Sequence, residues 1–401
     1  MEYEEIKKVI ESCHLNFLIG SGASVPFLGT LSNIETLLTE LSQKENDDNR
    51  EIVDASIKRH YYDVAVKGNS EIETGVGSKL ESVKVSYSDF IKAINVILTK
   101  RKTNLVTKQA NLFTTNMDLF LDYTLEKQKL AFNDGFSGRM NPVYGTENFH
   151  NSIRKTSTHY EFQSEVPLFN VFKLHGSVNW KLNNDKITYD YGHTILNEIN
   201  SLSSNGSDFL PVEYESKEED TEGNKIWKCY TIDELYKNQG LLGIEKGQTH
   251  LQFIEAYNKL QMVNPTKQKF EITTNDVVFY ELLRMYSNHL ERENSVLFVF
   301  GFSFADEHIR EITKRVAASN PTLLIVIFAY DLKSKISIEK EIAFSANVKV
   351  IYDEKDKLKY SLETINEYYF KKLADELECS KIVESFKTET TEPKTTEDEQ
   401  S

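Results

Sequence analysis

Leu15-Asn16-Phe17-Leu18-Ile19-Gly20-Ser21-Gly22-Ala23-Ser24 is the stretch on which the fold turns. A short, unbroken apolar run ending on glycines fits a strand buried on both faces, as in a parallel sheet. The same grammar recurs along the chain. Ala110 to Phe113 leads into Thr114-Thr115-Asn116-Met117-Asp118, and Leu168 to Leu174 into His175-Gly176-Ser177. Ser295 to Phe300 leads into Gly301-Phe302-Ser303-Phe304-Ala305-Asp306. Further apolar runs cover Leu323 to Ala329 and Val348 to Tyr352. Helical patterns fall between the runs: Asp118 to Glu126 with Asp118 as its N-cap, Val277 to Glu291, and Asp306 to Ala317. Alternating strands and helices predict an α/β fold, a doubly wound (Rossmann-like), mostly parallel sheet with helical insertions.

Two segments interrupt the alternation. Leu31 to about Lys108 is polar and mostly helical in pattern, with a Gly-containing break from Gly68 to Gly77. Lys181 to about Gly247 is polar and holds the loop-like Ser201 to Ser207 and the acidic run Glu215 to Glu222, which reads as an exposed loop. The expected organisation is one catalytic domain over residues 1–386 with these insertions at about 31–108 and 181–247, then a disordered acidic tail over 387–401. Lys100-Arg101-Lys102 with Lys108 reads as a solvated helix end, and Trp180 and Trp227 read as core residues.

Composition narrows the function. Of 401 residues 39% are apolar, with 23 Phe and 20 Tyr, enough for a sizeable core and against global disorder. A net charge of −15 argues against direct nucleic-acid binding, which needs a basic surface. The 3 cysteines, Cys13, Cys229 and Cys379, form no paired motif and exclude a disulfide scaffold or a Cys-based zinc module. No apolar run is long enough to span a membrane, and the charged N-terminus is not a signal peptide, so the expected location is cytoplasmic.

Ligands of open α/β sheets bind beyond the carboxyl ends of the strands, and the unusual residues gather there. Gly20, Ser21, Gly22, Ala23 and Ser24 fit either a tight turn or a loop whose N–H groups meet a pyrophosphate. Val25 stands where the dinucleotide fingerprint has its third glycine, and Pro26 stops a long helix from starting at once. Thr115, Asn116 and Asp118 bring amide and carboxylate groups to the second strand end, although capping and turn formation also account for them. His175, beside Gly176, is suited to general-base work or to a structural hydrogen bond. Gly301, Phe302, Ser303 and Asp306 offer a second Gly turn, a hydroxyl and a helix N-terminus favourable to an anion. Glu35 or Glu40 could meet a ribose hydroxyl, or lie on an exposed helix face. Ser303 also sits in an elbow-like turn, but of the 9 histidines only His308 follows it, one turn into the same helix, with no room for the acid of a hydrolase triad.

In this order the four motifs resemble the sirtuin-like (Sir2-like) NAD-cleaving family, and more closely its bacterial antiphage-defence branch. Val263-Asn264-Pro265-Thr266-Lys267 and Tyr280-Glu281-Leu282-Leu283-Arg284 add to the likeness. The resemblance implies NAD as the substrate and no metal. NAD would be held by the Gly20–Ser24 loop, Thr115, Gly301, Phe302, Ser303 and Asp306. By the same resemblance Asn116 orients the ribose hydroxyls and the attacking water, and His175 is the general base. Asp118 either stabilises a cationic sugar or holds Asn116. Two departures stand out from protein-deacylating sirtuins: the four-cysteine zinc module is missing, and Pro26-Phe27-Leu28-Gly29 replaces their Asp-Phe-Arg. Both argue against an acyl-lysine substrate and leave water as the nucleophile, with ADP-ribose and nicotinamide as products. The branch is often encoded beside a HerA-type hexameric ATPase, so that partner and a homo-oligomer are expected. The competing expectation is a catalytically silent NAD- or ADP-ribose-binding sensor or scaffold ring for the ATPase.

Overall fold

Seven strands build the central sheet: β1 (His14–Ile19), β2 (Gln109–Thr114), β3 (Ala131–Asn133), β4 (Leu168–Lys173), β5 (Ser295–Phe300), β6 (Leu324–Phe328) and β7 (Val348–Ile351). The computed structural model describes residues 3–30, 33–101, 106–159, 161–202, 206–219, 225–263, 277–342, 346–355 and 357–379. The strand order is β7-β6-β5-β1-β2-β4-β3, and every pairing is parallel. The chain starts in the middle, runs through β2 to the edge strand β3, returns to β4 between them, then crosses to the other side of β1 for β5, β6 and β7. The fold is therefore the doubly wound α/β arrangement, with its switch point between β1 and β5.

Both faces of the sheet are covered, which is why its strands read as continuous apolar runs. Leu15, Phe17 and Ile19 face one core with Val296, Phe298 and Phe300, closed by helices Tyr3–Ser12 and Ser78–Lys100. Leu18 faces the other with Phe113, Phe172 and Val299, closed by helices Val277–Glu291 and Glu307–Ser319. Among the described residues no helix is long and apolar enough to cross a membrane.

A buried chain of amides runs across four strands. Asn16, Asn111, Asn170 and Asn133 stand in register on β1, β2, β4 and β3. Asn133 donates to Asn170 (3.0 Å), Asn170 to Asn111 (2.9 Å) and Asn111 to Asn16 (2.8 Å). Asn16 ends the chain on the carbonyl of Val296, at 3.2 Å. His289 Nδ1 takes the second Asn111 proton at 3.0 Å, and burial holds its pKa down at about 4. Each link is satisfied only when four strands keep one register.

Several sequence expectations are corrected. The helix after β2 runs Phe120–Lys127, later than expected, and Asp118 caps it from outside by accepting the N–H of Phe120 at 3.3 Å. Arg101 is not a solvated helix end: it is 8% exposed and donates to the carbonyls of Ile10 (2.9 Å), Cys13 (2.6 Å) and Thr107 (2.9 Å). The acidic run is not a loop over its described part. Glu213–Glu219 pairs with Lys225–Cys229, and Glu215–Lys225 and Glu218–Lys228 ion pairs cross between the strands. Trp180 is core, but Trp227 on that hairpin is 61% exposed. The segment expected as a polar insertion also enters a second, five-stranded antiparallel sheet through Gly176–Asn183 and Lys186–Tyr189. Its two-residue turn, Asn184-Asp185, has both φ angles positive, which these residue types tolerate. Residues 264–267, 220–222 and the tail 387–401 lie outside the described residues.

Candidate active site

The loops after β1 and β5 meet at the switch point. Gly20 N–H donates to the carbonyl of Phe300 (3.1 Å) and Gly22 N–H to that of Gly301 (2.9 Å). Ser21–Ser24 makes a single 3-10 turn, and Val25-Pro26, a cis peptide, ends it. The glycines answer to this loop-on-loop contact. A Cβ at Gly22 would stand 2.9 Å from Gly301 Cα, and one at Gly20 would strike the Gly301 backbone. Gly301 itself has φ +63, a conformation that favours glycine. The tight-turn reading of Gly20–Ser24 is thus satisfied without a ligand.

Beyond these loops opens a cavity of about 760 Å³. Ser21 to Ser24, Thr115, Asn116, Asp118, His175, Gly301 to Ser303 and Asp306 all line it. Gly20 stands behind the lining, where its carbonyl accepts from Asn116 Nδ2 at 3.1 Å.

The amide of Asn116 is held in one orientation. Its Nδ2 protons go to Gly20 O and to Ser24 Oγ (3.3 Å), and its own N–H goes to Thr114 Oγ1 (3.0 Å). Oδ1 is buried with no hydrogen-bond partner. A buried, unpaired acceptor in a residue that lines the cavity fits a ligand that brings a donor. Ser24 Oγ donates to Asp118 Oδ2 at 2.6 Å, so both Asp118 oxygens are engaged, the other by Phe120 N–H. Burial raises the Asp118 pKa, while the nearby Lys173 ammonium opposes the rise. Lys173 is itself buried; it donates to the Asp118 carbonyl and forms an ion pair with Asp122 at 2.6 Å. Asp118 therefore reaches Asn116 through Ser24.

His175 follows β4 and precedes Gly176, whose φ of +78 and close approach to the Gln261 carbonyl both require glycine. Nε2 of His175 lies 3.1 Å from Asp306 Oδ2. The other carboxylate oxygen caps helix Glu307–Ser319, accepting from His308 N–H (3.1 Å) and Ile309 N–H (3.2 Å). This corrects the expectation that the helix N-terminus attracts an anion: the carboxylate of its own N-cap already occupies it. Asp306 instead sets its second oxygen at ion-pair distance from an imidazole. Ser303 is exposed on the cavity rim, and its Oγ accepts the N–H of Ala305 at 3.4 Å.

An asparagine and a carboxylate-oriented histidine thus stand at neighbouring strand ends on one cavity, at the switch point of a parallel sheet. Residues 110–351 match the family model of the SIR2-like domain. The chain belongs to the SIR2-like family. No curated protein matches the chain. SIR2-like domains are in general NAD-dependent enzymes, and membership implies NAD binding or use. The residues present fit that ligand: the cavity is large enough, and Asn116 Oδ1 offers an open acceptor. β1 and the Gly20–Ser24 loop precede the matched residues, yet Asn116 binds both Gly20 and Ser24. The SIR2-like site therefore includes them.

The SIR2-like cavity has two further walls, in which sequence reading named only Glu35. Tyr330, Asp331, Lys333 and Ser334 follow β6, with Asp331 capping helix Leu332–Glu341 through the N–H of Ser334 at 2.7 Å. That cap holds the Asp331 carboxyl below its usual pKa. Applying the strand-end rule to the fifth apolar run would have found these residues. Thr30, just before the helical insertion, and Glu35, Tyr61 and Ala65 within it form the other wall. Glu35 lines the cavity and Glu40 does not. Among the described residues, no group of His, Cys, Asp and Glu is placed to hold a metal ion.

Proposed function

We propose that this SIR2-like chain is an NAD+ glycohydrolase, converting NAD+ and water to ADP-ribose, nicotinamide and a proton. The observation that carries the reading is Asn116, which lines the cavity together with His175, its amide donors bound and its buried Oδ1 unpaired. NAD supplies its own leaving group, since nicotinamide departs neutral with the electrons of the broken C–N bond. Little acid catalysis is then needed, and positioning dominates. Asn116 Oδ1 accepts a hydrogen bond from a ribose hydroxyl or from the attacking water. His175 takes the proton that water loses on bonding to the ribose carbon and passes it to solvent. Asp306, whose Oδ2 lies 3.1 Å from Nε2, stabilises the imidazolium that forms. The Gly20–Ser24 and Gly301–Ser303 loops and the wall at Tyr330–Ser334 hold the remainder of the dinucleotide.

The motif resemblance supports a wider role: an effector of bacterial antiphage defence that depletes cytoplasmic NAD once activated. In that role the chain works as a homo-oligomer gated by a HerA-type hexameric ATPase. The test is nicotinamide release from NAD by the purified protein, alone and with the ATPase. His175→Ala and Asn116→Ala should each abolish release without lowering the melting temperature by more than a few degrees. A folded His175→Ala protein working at the wild-type rate would refute the reading. NAD binding without release in every state would favour the sensor or scaffold.

A further inference from the structure

We propose that Tyr87, carried by the helical insertion, is a positioning residue that fixes the active-site amide of Asn116 by donating its hydroxyl proton to Ser24. The inference rests on the reading of Asn116 as a contact to bound NAD. Tyr87 stands on helix Ser78–Lys100 and is 1% exposed. Its ring stacks on Phe120 at 5.2 Å, and its hydroxyl lies 3.1 Å from Ser24 Oγ. Burial raises its pKa well above that of a free tyrosine, so the proton stays in place.

Counting protons sets the direction of this bond. Ser24 has a single hydroxyl proton, and the buried carboxylate of Asp118 takes it at 2.6 Å. The serine oxygen can then only accept, from Tyr87 on one side and from Asn116 Nδ2 on the other. With both acceptor positions filled, the serine rotor has one setting, and Asn116 keeps its NH2 inward and Oδ1 outward. Reversing the amide would set Oδ1 against the carbonyl of Gly20. Without the tyrosine proton, Ser24 is held by Asp118 and Asn116 alone, and the acceptor that fixes the amide is less constrained.

Tyr87 is not the insertion's only hold on this segment. Asn69 Oδ1 accepts the N–H of Leu119 at 3.1 Å, and the Tyr61 hydroxyl lies 3.8 Å from Met117 Sδ. Asn366 Nδ2 in turn ties helix Ser78–Lys100 through the carbonyl of Ser86, at 2.8 Å. The insertion thus reaches the catalytic loop through side chains, which makes it part of the site rather than an appendage.

The experiment is a double-mutant cycle read by binding of carba-NAD, an analogue that cannot be cleaved. Tyr87→Phe keeps the ring and its stacking and removes only the hydroxyl. It should weaken binding about tenfold, as the loss of one buried hydrogen bond in a fixed network does. Tyr87→Phe with Asn116→Ala should bind no more weakly than Asn116→Ala alone, because the tyrosine acts through that amide. Ser24→Ala should reproduce the Tyr87→Phe effect, and it carries the test if Tyr87→Phe fails to fold. Additive losses, or wild-type affinity in folded Tyr87→Phe, would overturn the proposal. Nicotinamide release is measured on the same wild-type protein. Binding without release, both alone and with the ATPase, would refute the hydrolase reading and leave the cycle readable; no binding by the wild type would refute both.

Discussion

Asn116 and His175 owe their roles to what their neighbours have already used up. Asn116 has spent its donors on Gly20 and Ser24, and His175 shares Asp306 with a helix cap. Asp306→Asn tests the second pair. Asparagine caps a helix as well as aspartate does, so stability should hold. The imidazole, however, loses a charged acceptor and a fixed tautomer. We expect kcat for nicotinamide release to fall at least about tenfold with little change in KM, measured by steady-state kinetics. A loss confined to KM would make Asp306 a binding group instead. At this scale the sequence was informative about identity and poor about partnership. His175 and Asn116 were legible as polar residues at strand ends. Their ties to Asp306 and Ser24 were not, because those partners lie far away along the chain.

Among the elements, the strands were the most legible, for a physical reason. A strand buried on both faces is largely apolar, and β1, β4 and β5 are so at most positions, β2 through Ala110, Leu112 and Phe113. β3, with three half-buried residues at the sheet edge, carries no such signature. The amide chain across β1, β2, β4 and β3 was hidden too, since isolated asparagines in apolar runs align only once register is known. It makes a stability prediction at its own scale. Asn111→Leu would strand Asn16 Oδ1 and His289 Nδ1 without their partner and leave Asn170 Nδ2 with Gln109 Oε1 alone. Urea unfolding should show a loss of roughly 2–4 kcal/mol, the cost of leaving buried polar groups unpaired. A neutral substitution would mean that packing alone sets the strand register. The Glu213–Glu219 hairpin was misread for the opposite reason. Its acidic composition spells loop, and only the facing lysines turn it into a paired strand.

Across the whole molecule, the site is a convergence. Its residues come from the ends of β1, β2, β4, β5 and β6 and from the helical insertion, so a ligand that binds there must bind the folded state alone. ADP-ribose at about a hundred times its dissociation constant should stabilise the protein by about 2.7 kcal/mol, read as a rise in melting temperature. No shift in Asn116→Ala beside a clear shift in the wild type would tie the effect to this cavity. Alone, the sequence determined the α/β alternation, the strand ends and the polar residues placed on them, because burial patterns and turn chemistry are local. Only the tertiary structure decided which loops touch, which carboxylate faces His175, that the insertion supplies Tyr87, and that the glycines at 20, 22 and 301 serve one another. Those are contacts between distant parts of the chain, set by strand order and register, and a linear pattern carries no trace of them.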